Sequence, residues 1–227
     1  MRQIALPLPH ETAMGADDFL VTPCNRDAAK WIAKWPDWPA HGMIVTGAAG
    51  SGKTHLLNLW LRRSKGHAIG RDELTSPEML DPASAYAVDN ADGIAGDATA
   101  EEGLFHLYNA VKAAKGFLLL TMTRGAGQAE FALPDLRSRL LTLPSAALGA
   151  PDDALLEALI VKQFRDRQVT PDVGVVPYLA ARIARDAAAI RDLVERIDRA
   201  SLASGRKISI VLARAILDEI NMESKDE

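Results

Sequence analysis

The chain has 227 residues, 48% of them hydrophobic, and a formal net charge of −4. That apolar share supports a packed core and excludes wholesale disorder, while the acidic balance disfavours nucleic-acid binding by bulk electrostatics. Cys24 is the one cysteine, which excludes an intrachain disulfide and a cysteine-based zinc site.

No leading pattern of basic residues, long apolar run and small-residue cleavage site is present. The aliphatic stretch at 117–120 is too short to span a bilayer. The expectation is a cytoplasmic protein without a membrane partner.

Residues 1–16 read as an extended tail, because Pro7 and Pro9 interrupt regular pairing. A helix is predicted from Asn25, a suitable N-cap, through Ala28, Ala29, Trp31 and Ile32. It must stop near Trp35, since a residue before proline avoids the helical region. Residues 43–46 form a short β-rich run. Residues 53–63 then carry Leu56, Leu57, Trp60 and Leu61 on one helical face. A weak strand at 67–70, a strand at 85–88 and a helix over 101–114 follow, the last aligning Leu104, Phe105, Tyr108 and Val111. Residues 117–121 are continuously apolar, as a strand buried on both faces requires. Strands alternating with helices of this length predict a parallel sheet with right-handed crossovers.

The pattern changes after Pro144. Residues 145–151 read as a connector, and beyond it only helical periodicity remains, over 152–167, 173–185, 188–202 and 209–221. Asp152 and Ser209 are suitable caps for the first and last of these. The expected fold class is α/β: an αβα sandwich around a parallel sheet, then a small all-helical domain. The expected boundaries are 1–16 for the tail, 17–150 for the sheet domain and 151–227 for the helical domain.

The strongest local signal is Gly47-Ala48-Ala49-Gly50-Ser51-Gly52-Lys53-Thr54, which fits G-x-x-x-x-G-K-[ST] between a predicted strand and helix. Glycines let the backbone curl so that successive N–H groups point at phosphate oxygens, and the helix adds the positive end of its dipole. Lys53 would reach the β and γ phosphates, and Thr54 would offer its hydroxyl to Mg²⁺. Asp89, ending the 85–88 strand, supplies a carboxylate on the metal side. The expected ligand is ATP or ADP with Mg²⁺. Many P-loop ATPases place a glutamate after that aspartate to deprotonate the attacking water. Here the residue is Asn90, whose amide can bind a water but cannot take its proton. Weak intrinsic hydrolysis is therefore expected, with ADP favoured over ATP as the resident nucleotide and the choice between them open.

The order of these motifs resembles AAA+ ATPases of the DnaA type. It runs from Asn25-Arg26 through the phosphate loop, Asp89-Asn90 and Thr121-Met122-Thr123 to Asp135-Leu136-Arg137-Ser138-Arg139-Leu140 and Ala189-Ile190-Arg191-Asp192-Leu193. The stretches Asp89 to Asp97 and Ile197 to Ile208 are similar to the Hda branch of that family, regulators related to the initiator. The chain has no room for the DNA-binding helix-turn-helix domain that initiators carry, so the resemblance implies a regulator.

The resemblance implies several roles. Arg139 would be an arginine finger acting in trans on ATP bound to DnaA, with Arg137 as the ordinary surface arginine beside it. Thr121 or Thr123 would be the sensor 1 polar residue, and Thr123 takes that assignment. Arg191 would be the sensor 2 arginine of the helical lid. Val21, within Phe19-Leu20-Val21, and Asn25 would wall the adenine. The cofactor-binding set is thus Val21, Asn25, Gly47, Gly50, Ser51, Gly52, Lys53, Thr54, Asp89 and Arg191. Gln3-Ile4-Ala5-Leu6-Pro7-Leu8 looks like the peptide that docks on the bacterial sliding clamp. Gln3 would hydrogen-bond, Leu6 and Leu8 would fill an apolar pocket, and Pro7 would lower the ordering cost.

The implied partners are DnaA and the clamp, with DNA reached through the clamp; a homo-oligomer is compatible with the pattern. The implied function is repression of replication re-initiation through DnaA's ATPase. Two other readings are an initiator or helicase-loader relative acting at origin DNA and a small-molecule P-loop kinase. The acidic balance opposes the first. The arginine box ahead of a helical lid opposes the second. Trp31, Trp35 and Trp38, close to prolines, read as core rather than as base-stacking residues.

Overall fold

The computed structural model describes residues 19–75 and 85–223. Its first helix, α1 (Arg26–Lys34), leads into β1 (Gly42–Thr46), α2 (Lys53–Ser64), β2 (His67–Ala68) and α3 (Arg71–Leu74). Next come β3 (Ala85–Val88), a 3₁₀ turn (Ala91–Ile94), α4 (Ala98–Ala113) and β4 (Phe117–Met122). Then α5 (Pro134–Leu141) and β5 (Ser145–Ala147) complete the sheet region, and α6 (Asp153–Asp166), α7 (Val175–Ala180), α8 (Ala187–Ser204) and α9 (Ile210–Glu223) follow.

The strands lie in the order β2-β3-β4-β1-β5, every pairing parallel. Strand alternation sorts the aliphatic side chains onto two faces. Met43, Val45, Ala87 and Leu119 join Ile32, Leu56, Leu57 and Trp60 in one core cluster. Ile44, Tyr86, Val88, Leu118 and Leu120 join Leu104, Leu107, Val111 and Leu136 in another. Helices α1 and α2 thus cover one face and α4 and α5 the other, which makes a three-layer αβα sandwich. Each such aliphatic side chain contributes roughly 1.5–3 kcal/mol through burial. Among the tryptophans, Trp38 stacks on Trp60 at 5.5 Å, and its ring N–H donates to the Trp31 carbonyl at 2.7 Å. Trp35 meets Trp60 and Phe117 edge-on, so these rings are packing, as expected.

Helices α6–α9 pack around their own cluster, built on Leu156, Ile160, Phe164, Leu179, Leu193, Ile197 and Leu217. Asp152 caps α6 by accepting from Leu155 N at 2.9 Å, and the Ser209 hydroxyl accepts from Leu212 N at 3.5 Å.

Three expectations are corrected. Residues 145–151 are not a bare connector: Ser145–Ala147 forms β5, paired to Ile44, Val45 and Thr46. The helix expected over 173–185 is only α7. Gly174 enters it at φ 91°, in the left-handed region, and the chain leaves it into turns before Asp186. Asn25 precedes α1 but does not cap it. Its Oδ1 accepts from Thr22 N and its amide donates to the Leu20 carbonyl, each at 2.9 Å, so it braces the segment before the helix.

Candidate functional site

A tight cradle forms where β1 runs into α2. Gly50 (φ 75°) and Gly52 (φ 96°) take the left-handed conformations that turn the loop back over the strand end, where only glycine is unstrained. A Cβ at Gly47 would lie 2.5 Å from Ser51 Oγ, and one at Gly50 would lie 2.6 Å from Asp186 Oδ1. The loop is therefore too close-packed to admit larger residues at those points. Lys53 is buried, and its ammonium donates to the Gly47 and Ala48 carbonyls at 2.7 and 3.0 Å. The lysine is thus folded into its own loop. Ser51 Oγ is buried with no hydrogen-bond partner among the described residues, and α2 begins without a side-chain cap. A buried hydroxyl without a partner, an uncapped helix N-terminus and a cradled ammonium together fit a polyphosphate chain.

The acid side of the cradle comes from the neighbouring strands. Thr54 Oγ1 donates to Asp89 Oδ2 at 2.7 Å, and the Thr121 hydroxyl donates to Asp89 Oδ1. Asn90 N donates to Thr121 Oγ1 at 2.8 Å. Because β4 lies between β1 and β3, Thr121 sits beside Asp89 although 32 residues separate them. A hydroxyl and one carboxylate fit a Mg²⁺ that takes its other ligands from phosphate and water. Among the described residues no group of three or more His, Cys, Asp or Glu is placed to hold a metal ion.

Asn90 occupies the left-handed region at φ 53°, ψ 47°, a conformation that asparagine tolerates better than glutamate. The residue is exposed, and the only acid in the turn that follows is engaged: Asp92 accepts from Thr123 N and Arg124 N at 2.9 Å. Asn90 and Thr123 line one open pocket of about 390 Å³, together with Asp92, Gly96, Arg124 and Glu130. Thr121, by contrast, is buried and bonded to Asp89. Of the two threonines, Thr121 orders the acid and Thr123 faces the pocket. A second groove, about 400 Å³, lies along α1 and β5 and shares no residue with the phosphate loop.

Val21 is half-buried beside the brace made by Asn25, and Phe19 stacks on His55, the residue after Thr54, at 5.7 Å. The 19–22 segment therefore stands next to the start of α2. Arg191 is exposed on α8, whose capping residue Asp186 abuts Gly50. It lies five residues into the helix, roughly 7.5 Å along its axis from that contact. Gln3, Leu6, Pro7 and Leu8 lie outside the described residues.

Arg139 projects from α5 over two rings of α4. Its guanidinium carbon lies 5.0 Å from the Phe105 centroid and 5.6 Å from that of Tyr108. Arg137 takes another direction, donating to the Gly127 carbonyl at 3.4 Å. Sequence reasoning missed Glu101. Its buried carboxylate accepts from Gly96 N at 2.7 Å, Ala132 N at 3.0 Å and Leu133 N at 2.7 Å. That clasp ties the first turn of α4 to the run-in of α5. A charged residue on the buried side of a predicted helix was the available signal.

Residues 152–217 match the family model described as the Hda lid domain. Domain III of the replication initiation protein DnaA from Thermotoga maritima superposes with a TM-score of 0.76 at 18% identity, over 92% of this chain and 98% of that one. AMPPCP-bound DnaA from Aquifex aeolicus gives 0.68 at 16% identity, over 79% of this chain and 63% of that one. The RuvB Holliday junction branch migration motor of Thermotoga maritima gives 0.68 at 15%, over 87% and 68%. Residues 152–217 are thus similar to the Hda lid domain, and the chain has the fold of DnaA domain III.

Proposed function

We propose that this protein is a nucleotide-bound regulator of DnaA that promotes hydrolysis of DnaA's ATP by presenting Arg139 across a shared interface. The observation that carries the reading is the contrast between two cations. Lys53 is compensated within its own phosphate cradle, whereas Arg139 rests on aromatic rings with no hydrogen bond or ion pair from its guanidinium among the described residues.

In the chain's own site, Lys53, Ser51 and the start of α2 would hold the phosphates of ATP or ADP, and Thr54 with Asp89 would hold Mg²⁺. Bound Mg²⁺ would neutralise phosphate charge there. Thr121 keeps Asp89 oriented, and Arg191 would contact the phosphates from the lid. Asn90 supplies no general base, so the nucleotide stays largely unhydrolysed. On the partner, water attacks the γ-phosphorus, the bond to the β-phosphate oxygen breaks, and ADP and phosphate leave. A guanidinium at that γ-phosphate stabilises the charge spread over its oxygens. Residues 1–16 would dock on the sliding clamp through Gln3, Leu6 and Leu8, which raises the local concentration of this chain near DNA-bound DnaA.

The test measures hydrolysis of DnaA-bound ATP with and without this protein, clamp and DNA. Stimulation that needs all three supports the reading, and the combined Gln3→Ala and Leu6→Ala variant is expected to lose clamp binding and, with it, the stimulation. No stimulation under any combination would overturn the reading.

A further inference from the structure

We infer that Phe105 and Tyr108 are positioning residues: an aromatic shelf on α4 that holds the Arg139 guanidinium extended and ready to dock. This inference rests on the finger role given above to Arg139. Glu101, Phe105 and Tyr108 recur at i, i+4 and i+7, so they lie along one stripe of α4. That stripe faces α5. At its first position, the buried Glu101 carboxylate takes the N–H groups of Ala132 and Leu133 and fixes where α5 begins. At the other two, the rings receive Arg139, six residues further along the chain than Leu133, at 5.0 and 5.6 Å. Tyr108 is buried and Phe105 half-buried, so both rings are held by the core while one edge of the shelf stays open.

The chemistry favours presentation over sequestration. A guanidinium stacked on a ring uses its face, and its in-plane N–H donors stay available for phosphate oxygens. A carboxylate partner would occupy those same donors and would have to be displaced first. Among the described residues no ion pair engages Arg139. Stacking also removes rotamer freedom before docking, so less is lost when the finger meets its target. Arg137, bonded to a carbonyl on another side of α5, has no such support.

The experiment compares Phe105→Leu, Phe105→Tyr and Tyr108→Phe in full-length protein with clamp, DNA and DnaA–ATP. Phe105→Leu is expected to lower the maximal stimulated rate roughly two- to fivefold, the range of one exposed cation–π contact. The concentration giving half-maximal stimulation should be unchanged. Phe105→Tyr and Tyr108→Phe keep a ring and should retain the wild-type rate. Full stimulation by Phe105→Leu, in a background where Arg139→Ala abolishes it, would overturn the shelf while leaving the finger intact. Retained stimulation by Arg139→Ala would instead remove the finger, and the shelf's role with it. NMR reads the shelf without DnaA: the Arg139 Hδ protons should be ring-current shifted upfield in the wild type and return toward random-coil positions in Phe105→Leu. Unshifted Hδ protons in the wild type would overturn the stack itself.

Discussion

The phosphate cradle and the Arg139 shelf are built from opposite kinds of sequence. The cradle comes from eight consecutive residues whose conformation is dictated by Gly50 and Gly52, and its cation folds onto carbonyls of the same loop. The shelf joins residues from two helices about 30 positions apart, and its cation rests on two rings. Under the proposed function, the first site holds a ligand with groups from this chain alone. The other, under the same proposal, is a single charge held ready to act on another molecule.

The sharpest way to break that contrast is Arg139→Ala. Under the proposed role it should lower stimulation of DnaA-bound ATP hydrolysis by roughly 10³-fold, the lower range for an arginine finger. Its affinity for fluorescent ADP should not change. Lys53→Ala should do the reverse at the first step, weakening ADP and ATP binding roughly 10- to 100-fold through loss of a charge-assisted phosphate contact. Equilibrium titration with labelled nucleotide reads this directly.

Glu101→Gln tests whether the shelf is mechanically joined to α5. Replacing a carboxylate that accepts three backbone N–H groups should cost about 2 kcal/mol in urea unfolding with little change in slope. Nucleotide affinity should stay close to wild type.

Two caps in the lid offer a finer comparison. Asp152 accepts from Leu155 N and Asp186 from Ala188 N, so each change to alanine should cost about 1 kcal/mol of stability. Asp186 also abuts Gly50 in the cradle, where its negative charge opposes a phosphate. Asp186→Ala should therefore tighten nucleotide binding a few-fold, and Asp152→Ala should not.

The smallest effect is at Asp97, which caps α4 and accepts a 2.6 Å hydrogen bond from Arg71. That bond, with help from Ala100 N, holds the Asp97 carboxyl below its ordinary value. A depressed carboxylate contributes stability above its unfolded pKa and loses it as pH falls through the folded one. The pair is exposed, so a carbon-detected NMR titration is the suitable probe. Arg71→Ala should move the Asp97 midpoint up toward the ordinary carboxylate value.

What could be read in advance followed local rules. The strand at 85–88 and the apolar run from 117 are visible because each element is continuous and flanked by turn residues. The loop at 47–54 is visible because its chemistry is contiguous. β5 was not visible: three residues, Ser145-Ala146-Ala147, have little β propensity, and only their pairing with Ile44, Val45 and Thr46 makes them a strand. The excess length expected for α7 came from alanines and aliphatics that continue the pattern past the point where the backbone turns away. Asn25 has the composition of a cap, yet its hydrogen bonds go to residues before it. The bonds from Ala132 and Leu133 to Glu101 and from Thr121 to Asp89 were illegible because about 30 residues separate the partners; the packing of α4 beside α5 makes the first and the sheet order the second.

The central claim is that this chain keeps its own nucleotide and triggers its partner's. A single-turnover experiment reads this most directly, with γ-labelled ATP loaded on either this protein or DnaA before both are mixed with clamp and DNA. The account predicts rapid release of phosphate from label carried by DnaA and slow release from label carried by this chain. Rapid release from this chain's own ATP, with DnaA's left intact, would contradict it.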